Sequence, residues 1–95
     1  MQDLRSELAK TLDQAEWSWL SPHLQRNSLI IVDANLNLLD VGVAIATDDT
    51  TLVQRWIAEQ LIYKPSPEQI STWNAKQTKP FQALIVQPYV LVQEA

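Results

Sequence analysis

The chain has no cysteine, one glycine and one histidine among its 95 residues, and each scarcity closes a group of functions. Without cysteine there is no disulfide framework, thiolate nucleophile or zinc–thiolate cluster, a composition that fits a reducing compartment. With Gly42 as the sole glycine there is neither a phosphate-cradling loop nor a dinucleotide fingerprint, since both need several glycines close together. Any Ser-His-Asp mechanism would have to pass through His23, and no Gly-x-Ser-x-Gly elbow frames a serine, so His23 reads as a surface residue on a short helix. Basic residues are also few: seven Lys and Arg, scattered, stand against eleven Asp and Glu for a formal charge of -4. That balance argues against nucleic acid, whose phosphates are held by clustered cations. No apolar run reaches the ~20 residues of a membrane span, and the opening MQDLRSELAK lacks an apolar signal core. The expectation is one soluble cytoplasmic domain, residues 1–95, with no cofactor and no membrane or nucleic-acid partner.

What the chain does have is apolar patterning. Phe81 to Glu94, FQALIVQPYVLVQE, is its longest apolar stretch and reads as a central strand with apolar residues on both faces, kinked or bulged at Pro88. Leu4, Leu8, Leu12, Ala15 and Trp19 fall on one stripe of a helix running from Leu4 to Trp19. Ser21-Pro22 reads as a cap and first position of a short helix to Arg26, which Asn27 closes in the left-handed conformation. Leu29 to Val32 is a buried strand ended by an Asp33-Ala34-Asn35 turn.

From Leu39 to Ala46, large and small residues alternate. This predicts a second strand, hairpinned to the first, although Asn37 could instead cap a helix bearing Leu38, Val41 and Ile45 on one side. Asp48-Asp49 opens an amphipathic helix with Leu52, Val53, Trp56, Ile57 and Leu61 inward. Leu61 to Lys64 is a short edge strand before Pro65, and Ser66-Pro67-Glu68-Gln69 is a capping box opening a helix to about Ala75. The expected fold is α+β, in the order α-α-β-β-α-β-α-β, with a mixed or antiparallel sheet of about four strands and helices packed on it.

Trp17-Ser18 with Leu20 and Arg26, Asp48-Asp49 with Val53 and Trp56, Gln69 with Trp73, and the closing VQPYVLVQE stand in an order that resembles the bacterial domain of unknown function 2288. The resemblance spans nearly the whole chain, and QPYVLVQE is its most specific part. The family pattern has glycine where this sequence has Asn27 and Gln60, a departure at two turns. The resemblance implies a small bacterial domain and, since no activity is assigned to that family, implies none here.

Two functions of different kinds follow. The favoured one is a non-enzymatic protein-interaction or structural module acting as a homo-oligomer, most simply a dimer, or binding another protein. Its expected interface residues are Trp17, Lys64, Tyr89 and Leu91. Trp17 stands two residues from Trp19 and thus far around a helix from the core stripe, and aromatic residues are enriched in interfaces. The dimer expectation rests on a sheet apolar on both faces with only two substantial helices to cover it. The alternative is a small-molecule or metal-dependent enzyme using Asp40, Asp48 and Asp49 with His23 and Arg26. Helix capping accounts for Asp48 and Asp49 more simply than metal binding does, because acidic side chains stabilise helix N-termini.

Overall fold

A computed structural model describes residues 3–94. Its centre is a five-stranded mixed sheet in the order β1-β4-β5-β2-β3, with β1 Asp13–Glu16, β2 Leu29–Val32, β3 Ile62–Tyr63, β4 Pro80–Val86 and β5 Tyr89–Glu94. Only β2 and β5 run parallel; the other neighbours are antiparallel. The α+β class stands, with one strand more than expected.

The apolar run from Phe81 to Glu94 is a hairpin, not one kinked strand. Gln87 and Pro88 form the turn, and Val86 pairs with Tyr89, Leu84 with Leu91 and Phe81 with Glu94. Proline has no N–H for a ladder, and a turn dispenses with one. Alternation then serves two layers. Phe81, Val90, Val92, Leu29 and Ile31 pack on one face with Trp17, Leu20 and Trp73, whereas Leu84, Val86, Leu91, Val32 and Ile62 pack on the other with Leu38 and Val41.

The helices are α1 Leu4–Ala9, α2 Trp17–Leu20, α3 Pro22–Gln25, α4 Leu38–Ala46, α5 Thr50–Ala58 and α6 Pro67–Asn74. Side chains from α2, α3 and α6 cover the first face, and those from α1, α4 and α5 lie over the second. One chain therefore covers both faces of its sheet, which removes the original reason for expecting a dimer.

Two expected elements are different in the structure. The helix from Leu4 to Trp19 stops at Ala9, and Asp13–Glu16 becomes the edge strand beside β4, with Ala15 opposite Phe81. The free edge of β4 takes that backbone, a long-range pairing invisible to local periodicity. Residues 38–46 form a helix. Asn37 accepts hydrogen bonds from the backbone N–H groups of Leu39 at 2.9 Å and Asp40 at 3.1 Å, and Leu38, Val41, Gly42 and Ala44 are buried. Burial of that face outweighs the weak helix propensity of glycine and the β-branched residues. At Gly42 α4 has no room for a side chain, because a Cβ there would run into Leu84 Cδ2.

The local signals hold better. Ser66 Oγ accepts from Gln69 N–H at 3.2 Å while Gln69 Oε1 accepts from Ser66 N–H at 3.0 Å, completing the capping box. Asp33 Oδ1 accepts from Asn35 N–H at 2.8 Å in the expected turn. Ser21, by contrast, has helical φ and makes no side-chain cap, because α2 leads almost directly into α3.

Candidate functional site

Three helix ends in this glycine-poor chain close in the same way. Asn27, Asp48 and Gln60 have φ of 58°, 62° and 60°, each just beyond the end of α3, α4 or α5. In each, the next residue's N–H reaches back five residues: Ser28 to His23 O at 3.3 Å, Asp49 to Ala44 O at 2.9 Å and Leu61 to Trp56 O at 2.8 Å. The left-handed residue itself bonds the carbonyl three back, Leu24, Ile45 or Ile57. These are Schellman closures, for which glycine is the unstrained choice.

At Asn27 and Gln60, where the resemblance noted from the sequence would place glycine, the backbone is left-handed, the conformation that glycine adopts without strain. A non-glycine residue pays roughly 1–2 kcal/mol in this conformation, and glycine returns about 0.4–1 kcal/mol through a freer unfolded chain. Gln60→Gly should therefore raise stability by about 0.5–1 kcal/mol in urea unfolding, and a decrease would contradict the left-handed assignment.

All three closures border one cavity, of about 770 Å³, between the α4–α5 corner and the sheet. That volume lies in the range of ligand-sized clefts. Ile30 and Ile62 contribute from the sheet, Ala44 and Ile45 from α4, and Val53 and Ile57 from α5; Tyr63, Lys64 and Tyr89 border it on the strand side. Asp48 and Asp49 stand at the helix corner, where Asp49 caps α5 by accepting from Leu52 N–H at 3.2 Å.

The state of α5 is the unusual feature. It is amphipathic, yet none of its residues is fully buried: Leu52, Val53 and Trp56 are half-buried and Ile57 is 56% exposed. Val53 and Trp56 pack against the second core layer, while Val53 and Ile57 border the cleft.

Four of the residues singled out from sequence, Asp48, Asp49, Lys64 and Tyr89, meet at this cleft, although they came from two different expected sites. The others lie elsewhere. Trp17 is fully buried, packed against Trp73 and Phe81 with ring centroids 5.0 and 5.9 Å away, and its Nε1–H donates to Asn74 Oδ1 at 2.8 Å. It is Trp19 that is open, at 61%. The exchange follows from β1: Trp17 leaves a strand rather than the middle of a long helix, so its angular offset from Trp19 no longer places it outside. Leu91 is likewise fully buried, in the sheet beneath α4.

His23 belongs to α3 and Arg26 caps its end, and α3 packs by Leu24 on the opposite face of the sheet from the cleft. Asp40 is in the first turn of α4, paired with Arg5, about 12 Å along the helix from Asp48 at a rise of ~1.5 Å per residue. Of the five residues of the enzyme alternative, Asp48 and Asp49 line the cleft and Asp40, His23 and Arg26 do not. Sequence reading missed Ile57 as a cleft residue because its stripe position marks a core side chain as readily as an open one. Gln93, in the distinctive closing motif, is structural: its Nε2 donates to Asp33 O at 2.8 Å and Leu36 O at 2.7 Å, pinning the loop before α4.

The architecture is that of a small α+β domain, a mixed sheet with helices on both faces and one apolar cleft at the α4–α5 corner. The chain belongs to the family described as protein of unknown function (DUF2288), which it matches over residues 3–94. It is similar to the solution NMR structure of PA1075 from Pseudomonas aeruginosa, with a TM-score of 0.82 and 28% identity, over 99% of this chain and 86% of that one. No curated protein matches it. Among the described residues no helix is long and apolar enough to cross a membrane.

Proposed function

We propose that this protein is a non-enzymatic interaction module that works through the cleft beneath α5. The observation that carries the reading is α5 itself, an amphipathic helix with no fully buried residue, whose Val53 and Ile57 line an open cleft with Ile57 56% exposed. Apolar surface left unburied in so small a domain is a cost to folding that an occupant would relieve. The aromatic rim, with Tyr89 39% exposed and Tyr63 37% exposed, adds the residue type enriched where proteins meet. Asp40, paired with Arg5, and His23 and Arg26 do not line the cleft with Asp48 and Asp49, which favours this reading over a carboxylate enzyme.

The cleft can be tested with a neutral apolar dye. Nile red fluorescence should rise saturably, one dye per chain, at dilutions where the protein is monomeric. Ile57→Asp should weaken that binding at least tenfold, about 1.4 kcal/mol, while shifting folding stability by no more than about 0.5 kcal/mol. Equal dye binding by both proteins would refute the cleft as the working surface.

A further inference from the structure

We infer that the occupant of the cleft is the same region of a second copy of this chain, in a two-fold dimer. This rests on the cleft being a binding surface, and adds the identity of what fills it.

A two-fold contact requires that one patch carry both the projecting group and its receptor, because each copy presents the same surface to the other. The α5 region meets that condition. Ile57 projects, 56% exposed, at the border of the very cavity it helps to line, so each copy can offer an isoleucine and accept one. A projection on one face and a cavity on another would instead build open chains.

Charge is arranged for the same contact. Asp48 and Asp49 border the cleft from the helix corner and Lys64 borders it from the sheet edge. Among the described residues the ion pairs join Arg5 to Asp40 and Lys79 to Glu94, so neither acid is paired with Lys64 within its own chain. A two-fold axis passing between the two corners sets the acidic corner of each copy against Lys64 of the other, twice over. Since each copy carries a formal charge of -4 and the two repel overall, local complementarity of this kind favours one orientation among many. Pro65, directly after Lys64, lacks the N–H needed to continue β3 as a ladder, which directs the contact to side chains rather than to strand addition.

The reciprocity gives a discriminating experiment on the full chain. Sedimentation equilibrium should return twice the monomer mass of 10.8 kDa for the wild type. Lys64→Asp places acid against acid at both contacts, and Asp48→Lys places base against base, so each variant alone should dimerise at least tenfold more weakly. Mixed in equal amounts they should form a heterodimer near wild-type affinity, because both contacts then pair opposite charges. Ile57→Asp, at an exposed position, provides a second break that does not depend on charge pairing or on how well lysine tolerates the backbone at position 48. Circular dichroism checks that each variant is folded.

A wild type that stays monomeric overturns the dimer, and Nile red binding by that monomer would leave the cleft standing as a site for a different occupant. A dimer unchanged by all three substitutions overturns this face as its interface. Weakened single variants whose mixture regains nothing overturn the Asp48–Lys64 pairing and the orientation built on it.

Discussion

Trp17→Ala should cost about 3–5 kcal/mol, a large share of the ~5–15 kcal/mol that holds a domain of this kind together. Trp17 is fully buried where α2 meets the sheet, and it joins two elements that are distant in sequence, α6 through Trp73 and β4 through Phe81. Trp73 and Phe81 meet edge-on, 5.1 Å apart at 85°, so the three rings form a closed cluster. Removing the indole leaves a void between rigid neighbours and unties Asn74 from the start of α2. Urea unfolding followed by circular dichroism measures the loss independently of tryptophan fluorescence. Trp19→Ala is the matched control: with its ring 61% exposed, it should fall within about 0.5 kcal/mol of the parent. Similar losses at both positions would show that the side chains are not disposed as described.

Leu91→Ala should lose about 2–5 kcal/mol, because its side chain lies in the middle of the second core layer. On the ladder Leu91 stands opposite Leu84 of β4 and Ile30 of β2, and Val41 of α4 belongs to the same buried cluster. Neighbours on three elements limit how far the site can collapse, which is what sets the upper end of the cost. A loss below about 1 kcal/mol in the same assay would be typical of a surface position, and would reopen Leu91 as an interface residue.

The two substitutions also separate what can be read one segment at a time from what cannot. The capping box at Ser66, the turn at Asp33, the left-handed closure at Asn27 and the buried strand Leu29–Val32 were all legible in the sequence. Each depends on bonds or sterics within a few residues. The amphipathic helix after Asp49 was legible for the same reason, and so were Tyr89 and Lys64 as surface residues worth testing. Their meeting with Asp48 and Asp49 in one cleft was not, because that meeting depends on how α4, α5 and the strands are brought together.

The sequence by itself determined the α+β class, the helix starts at Asp49 and Ser66, and the absence of thiol and glycine-loop chemistry, since these follow from residue type and short spacing. Tertiary structure decided the rest. Asp13–Glu16 carries a weak local pattern and became a strand because the edge of β4 was there to pair with it. Residues 38–46 fit either periodicity, and became a helix because Asn37 could cap it and Gly42 could approach Leu84 without a Cβ. Trp17 went inside and Trp19 outside once the chain entered α2 from a strand. In each case the local preferences were close in free energy, of the order of 1 kcal/mol, and burial of a whole face, at ~25 cal/mol per Å² of apolar surface, outweighed them.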